Sequence, residues 1–211
     1  MNELKKAELF NIDKDFEQSV KKAKEVFLEG KVFVYPTDTI YGLGANPFND
    51  EAVKLVSRIK GRPENKKYIL LIDNLESLQK YVDIDSERNL DFLQSVWPNP
   101  VSVILKLNNS AKSVLKSDTC AFRIPSHRFC IRLLSELKMP LISTSANRSE
   151  QSPILEPSLI RDEFIYEVEA IFYSEKKPYI ESSTIIDLSG KKPVLIREGR
   201  IKFNDLVEKY S

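Results

Sequence analysis

Apolar and polar positions recur along this chain with two different periods. Over residues 15–29 the spacing is helical: Phe16, Val20, Ala23 and Phe27 fall on one face, and Gly30 stops the run. "KVFVY" (31–35) follows as a strand of β-branched and aromatic residues that Pro36 ends. Asn49 or Asp50 can cap a second helix, "DEAVKLVSRIK", which stops at Gly61. "YILLI" (68–72) is a buried strand, and two helical segments run over 74–96. "VSVILKL" (101–107) and "CAFRIP" (120–125) are strands, 127–138 is helical, and "PLISTSAN" (140–147) is a strand that opens into a polar loop. Residues 148–157, rich in Ser, Pro and Glu, form a loop or lid. A helix, the strands "AIFY", "STIIDL" and "PVLIRE", and a short final helix complete the chain. Strands and helices alternate, but consecutive strand pairs break a pure βαβ rhythm. The pattern predicts α/β architecture: one domain, a mixed sheet covered by helices.

Composition narrows the picture. A chain of 211 residues suits one domain and can bury a core without disulfides or metals. The net charge of +1 gives no bulk reason to bind nucleic acid, although a local patch is compatible with it. Cys120 and Cys130 sit among apolar residues and read as buried free thiols; with His127 they cannot make a usual structural zinc site, so no protein metal site is expected. The N-terminal stretch shows no secretory signal, and no run of about 18 apolar residues predicts a membrane span. The expectation is a cytoplasmic protein.

Chemistry enters with the loops. A P-loop, a GxGxxG fingerprint and a GxSxG elbow are all missing, and His127 is the one histidine. What remains is a set of polar clusters at strand ends, where α/β folds assemble ligand sites: "PTDT", "KGRP", "TCAFR", "STSAN", "SST" and "IREG". They supply the cations Lys60, Arg62, Lys66, Arg123 and Arg197 and the neutral donors Thr39, Thr119, Ser143, Ser145, Asn147 and Ser183. Arginine forks and lysine point charges suit a polyanion, and hydroxyls suit a small polar ligand. Each cluster has a plain structural reading as well. Lys60 and Arg62, on what reads as an exposed turn, can be cations at a helix C-terminus. Thr37, Asp38 and Thr39 can be a turn cluster, and "STSAN" a Ser/Thr turn. His127 reads as a helix-start residue and Trp97 as packing. Arg123, on a short interior strand, needs a partner.

"YPTDTIYGLGA", "KGRP", "WPNP", "AFRIPSH", "PLISTSAN", "SSTIIDL" and "LIREG", in this order, resemble the YrdC/TsaC family of L-threonylcarbamoyladenylate synthases over roughly residues 15–200. The resemblance implies a twisted mixed sheet around a concave, positive cavity, in the short single-domain form (1–211). It also implies a reaction: ATP, bicarbonate and L-threonine give threonylcarbamoyl-AMP and pyrophosphate. A threonylcarbamoyl transferase complex of the TsaD/TsaB/TsaE type then modifies tRNA next to the anticodon, so contact with tRNA itself is indirect or weak. Threonine's amine is the nucleophile, so no enzyme nucleophile is needed. By the same resemblance Lys60, Arg62, Ser145 and Asn147 form the catalytic tetrad. Arg62, Lys66, Thr119, Ser145 and Arg197 contact ATP, whose Mg2+ is held mostly by phosphates and water. Thr39, Tyr41, Arg123, Ser143 and Ser183 contact threonine, with Arg123 on its carboxylate. This chain departs from the usual family pattern with Leu71 where His is frequent, Asn99 for Gly, Ser102 for Thr and Glu150 for Gly.

Two other readings differ in class. An RNA-binding maturation factor would use the same cations without adenylation, against the near-neutral charge. A carbamoyl-transfer domain shares the fold but belongs beside other modules.

Overall fold

The computed structural model describes residues 5–63, 67–84, 86–176 and 180–210. Its strands are β1 (Glu8–Asn11), β2 (Phe33–Tyr35), β3 (Gly42–Ala45), β4 (Ile69–Leu71), β5 (Val101–Lys106), β6 (Thr119–Arg123), β7 (Leu141–Ser145), β8 (Ala170–Tyr173), β9 (Thr184–Asp187) and β10 (Val194–Arg197). The helices are α1 (Phe16–Leu28), α2 (Asp50–Lys60), α3 (Leu75–Gln79), α4 (Glu87–Val96), α5 (Asn109–Leu115), α6 (Arg128–Leu137), α7 (Pro157–Phe164) and α8 (Phe203–Tyr210). The strands make one ten-stranded open sheet in the order β1-β8-β2-β3-β7-β4-β6-β5-β9-β10. It is mixed: β2/β8, β4/β6 and β5/β9 are parallel, whereas β2/β3, β3/β7, β4/β7 and β5/β6 are antiparallel.

Local rules account for most element ends. The Asn49 side chain accepts a hydrogen bond from Ala52 N at 3.0 Å and starts α2. Gly61 ends the helix in the left-handed region, at φ 61°. Three elements escape the periodicity. The segment β1 is a short edge strand, and α5 offers only seven residues. In β3 the sequence shows "GLGA", which reads as a glycine pair between turns. The glycines are there for space: a Cβ at Gly44 would lie 2.7 Å from the Phe33 ring and 2.9 Å from that of Tyr35.

The sheet has two unequal faces. One carries Val34, Leu43, Leu70, Phe122 and Ile142, packed under α2, α4, α7 and α8. The other carries Phe33, Tyr35, Leu71, Leu141 and Phe172 under α1 and α6. Strand registers place Gly42, Ser143, Ser145, Ile69, Ala121, Arg123 and Ser102 on that second face as well. The core built by α1 and α6 centres on β2 and β8; on β4 and β7 it buries Leu71 and Leu141 and ends against Ile69, which is only partly buried. Ser143, Ser145, Ile69 and Arg123 instead line a concavity. Leu71, in the register position beside Arg123, is fully buried in the α1/α6 core rather than in that hollow.

Candidate active site

The hollow has a volume of about 460 Å³. Ten of the expected site residues line it together: Thr39, Tyr41, Lys60, Arg62, Arg123, Ser143, Ser145, Asn147, Ser183 and Arg197. They arrive from the ends of β2, α2, β6, β7, β9 and β10, which is why no contiguous motif holds them. Lys67 lines the cleft too, and Glu150 supplies the one carboxylate among its described residues. The cavity is therefore strongly cationic although the chain is nearly neutral.

Lys60 corrects the exposed-turn expectation. It is 3% exposed. Its ammonium donates to Ser145 O at 2.7 Å, Asn147 O at 2.6 Å and Asn147 Oδ1 at 2.6 Å, with Ser145 Oγ at 3.2 Å. An ammonium has three protons, so these acceptors use all of its capacity. The backbone carbonyl of Lys60 also accepts from Ser149 N at 2.9 Å. One lysine thus fastens the exit of β7 and the following loop to the end of α2. Asn147 is equally committed, since its Nδ2 donates to Gln151 O. Arg62, two residues beyond Lys60, is half-buried. It stacks over Tyr68 at 4.0 Å and donates to Lys67 O at 3.4 Å.

At the other end, Arg123 finds the partner an interior charge needs. It is 3% exposed and forms an ion pair with Asp38, itself 4% exposed. Asp38 also accepts from Ser126 N at 3.2 Å and Ser126 Oγ at 3.1 Å. Asp38 was legible only as part of a turn cluster; its signal was the acidic residue inside "PTDT". Arg123 Nη1 reaches Thr39 Oγ1 at 3.4 Å. Thr37 Oγ1 donates to Ile40 O at 2.7 Å and lies 2.9 Å from Thr39 Oγ1. Thr37 has one proton, so Thr39 is the donor in that pair. The Thr39 hydroxyl is left with acceptor capacity toward the cleft, suited to an amine N–H.

Ser183 is held from two sides, by Ser102 Oγ at 3.0 Å and by Arg197, which donates to Ser183 O at 2.8 Å. Ser102 is fully buried and was not among the expected site residues. Partial enclosure, and then the charge of Arg123, lower the Arg197 guanidinium from its ordinary value. Tyr41 borders the cleft, but its side chain is buried in the core under α2, α4, α7 and α8. Its hydroxyl accepts from Ser174 N at 3.0 Å and donates to Ser174 O at 3.3 Å.

Thr119 is the exception to the gathering. It lines an adjoining cavity of about 440 Å³ that meets the cleft across Lys67 and Tyr68, and its hydroxyl accepts from Lys67 Nζ at 3.1 Å. Lys66 lies outside the described residues. Both cysteines are buried free thiols, as expected, and burial pushes Cys120 up to about 12. His127 opens α6, and Trp97 packs into the core with Nε1 on Val101 O at 2.6 Å. No group of three or more His, Cys, Asp or Glu able to hold a metal occurs among the described residues. No described helix is long and apolar enough to cross a membrane.

Comparisons with known proteins show the family and the fold. The Sua5/YciO/YrdC family model, described as "Telomere recombination", matches residues 25–199. A threonylcarbamoyl-AMP synthase of Pyrococcus abyssi is 30% identical over 180 residues, 84% of this chain and 53% of that protein. The chain thus spans about half the length of this curated relative. The crystal structure of P. abyssi Sua5 complexed with L-threonine superposes with a TM-score of 0.84 at 28% identity, over 92% of this chain and 57% of that one. The crystal structure of E. coli YciO superposes at 0.83 with 26% identity, over 93% and 97%.

Proposed function

The chain belongs to the Sua5/YciO/YrdC family, and on that footing we propose that it is an L-threonylcarbamoyladenylate synthase, a nucleotidyltransferase acting in the threonylcarbamoyl modification of tRNA. Its substrates are ATP, L-threonine and bicarbonate. A separate threonylcarbamoyl transferase complex then consumes the adenylate. The observation that carries this reading is the polarity of one cleft. An Arg123–Thr39 corner that offers a cation and a hydroxyl acceptor faces cations and hydroxyls at the Lys60–Arg62–Ser145 end.

The corner fits an amino acid. Arg123, anchored by Asp38, presents its remaining Nη donors to a carboxylate, and Thr39 accepts from the amine. Ser143 and Ser183 line the space beside them. The neutral amine attacks the carbon of bicarbonate, or of the carbon dioxide its dehydration yields, and gives up a proton to solvent as the carbamate forms. The carbamate oxygen then attacks the α-phosphate, and pyrophosphate leaves. The protein's task is alignment and charge stabilisation rather than covalent chemistry. Arg62, Ser145 and Arg197 face the phosphates. The nucleoside end extends past Lys67 and Tyr68 toward Thr119.

Because its ammonium is fully engaged, Lys60 acts by positioning: it fixes Ser145 and Asn147 and adds its charge to the field at the phosphates. Mg2+ would shield the triphosphate. With no protein cage for a metal among the described residues, it travels with the nucleotide.

The deciding experiment measures pyrophosphate release from ATP by purified protein, omitting threonine and bicarbonate in turn. Release that needs both is expected. No release, with tight tRNA binding instead, would overturn the assignment in favour of an RNA-binding factor.

A further inference from the structure

The loop after β7 carries a feature that the reaction does not explain. Three non-glycine residues among those described have positive φ: Lys116, Lys138 and Glu150. The first two are the left-handed caps that end α5 and α6, a position helices routinely fill this way. Glu150, at φ 67°, ends no helix. It is the third residue of a four-residue turn, Arg148–Gln151, closed by Gln151 N to Arg148 O at 3.2 Å. Positive φ at that place is what a type II turn requires, and glycine is the residue that meets it without cost.

The turn is fastened on both sides. Arg148 is ion-paired with Glu163 and Glu167, Ser149 N donates to Lys60 O, and Asn147 Nδ2 donates to Gln151 O. The scaffold therefore delivers Glu150 to the cleft wall, exposed, next to the Lys60–Asn147 fastening. There it is the one carboxylate among the described lining residues, and no described residue engages it in a hydrogen bond or ion pair. A carboxylate set among phosphate-binding groups repels a bare triphosphate. A divalent cation between the two reverses the sign, since Mg2+ on a nucleotide characteristically takes one or two carboxylates besides the phosphates.

We propose that Glu150 is this protein's carboxylate contact to the divalent cation that enters with ATP, which makes nucleotide binding in this cleft cation-dependent. The inference rests on the nucleotide reading of the cleft. Glu150 meets the cation directly or through one of its waters, and the turn presents it without help from any other described acidic residue of the wall.

The test is binding, not turnover. ATP affinity is measured by calorimetry on the purified chain, without threonine or bicarbonate, in Mg2+ and in EDTA, for the wild type, Glu150→Gln and Glu150→Gly. In the wild type Mg2+·ATP binds about tenfold or more tighter than metal-free ATP. In Glu150→Gln the gap shrinks to about threefold or less, and metal-free ATP binds more tightly than to the wild type because the repulsion is gone. Glu150→Gly behaves the same way. An unchanged gap in Glu150→Gln overturns the proposal. So does a gap lost in the glycine variant but kept in the glutamine one, which would assign the effect to turn conformation. If the wild type binds ATP under neither condition, the nucleotide reading of the cleft fails, and this proposal falls with it.

Discussion

Lys60 and Arg62 are two residues apart, carry the same charge and follow the same helix, yet the fold puts them to opposite uses. Lys60 is the last residue of α2 and points inward, where four oxygens from Ser145 and Asn147 surround its ammonium. Arg62 lies past the Gly61 cap, half-buried, and rests its guanidinium on Tyr68 at the cleft wall. Arg123 and Arg197 repeat the contrast. The first is buried against Asp38; the second stands at the exposed end of an edge strand. The inner cations hold the site's shape, Arg123 while also keeping donors toward the cleft, and the outer ones are placed to meet a ligand. A buried cation without its partners is expensive, so inner substitutions should disturb folding and function together, whereas outer ones should separate them.

The largest effect belongs to the inner ion pair. Asp38→Ala leaves the Arg123 guanidinium buried and unpaired and should cost about 3–5 kcal/mol of stability in denaturant unfolding. A loss under about 1 kcal/mol would show that the inner class is not structural. Lys60→Met comes next. It strips the donor from backbone oxygens of Ser145 and Asn147 and should cost about 2–3 kcal/mol while abolishing pyrophosphate release and exposing residues 148–157 to limited proteolysis. An unaltered cleavage pattern would break the fastening role.

Arg62→Ala tests the outer class. Stability should stay within about 1 kcal/mol of the wild type, while ATP affinity falls about tenfold to a hundredfold. Equal losses of both would erase the distinction. Ser102→Ala should be milder, about 1 kcal/mol with a few-fold rise in the threonine requirement, because it frees Ser183 from one of its two holds. Kinetics in which only the ATP requirement rises would reassign Ser183.

The smallest effect concerns His127. Burial lowers its folded value below 6.5, outweighing the opposing pull of Asp38 and Asp13, while Lys176 and Arg123 reinforce the shift. The neutral form is therefore the one the fold favours. Its contribution is fully present above about pH 6.5 and is lost as pH falls from there through the lower folded value. Melting temperatures of the wild type and His127→Gln should run parallel above neutrality, and the wild type should drop more steeply below pH 6.5. Identical acid slopes would refute this.

Much of this molecule is legible in its sequence. The helical period of Phe16, Val20, Ala23 and Phe27, the cap at Asn49 and the stop at Gly61 are local properties, and each appears where the chain asks for it. The gathering of polar strand ends into one cleft also followed, since α/β sheets place their loops together. The short edge strand β1 and the glycine-rich β3 gave no periodic signal. The strand character of β3 depends on Phe33 and Tyr35, which reach it only through the sheet.

The sequence by itself determined which residue types were available and at which element ends they would stand, because caps, turns and hydrophobic periods act over a few residues. Only the tertiary structure decided which of two similar cations would be buried. It brought Asp38 to Arg123, 85 positions away, and turned the ammonium of Lys60 onto Asn147, 87 positions away. It also brought Ser102 to Ser183 and carried Glu150 to the cleft wall. Such pairings depend on strand order and register, which long-range packing sets, and no local spacing encodes them.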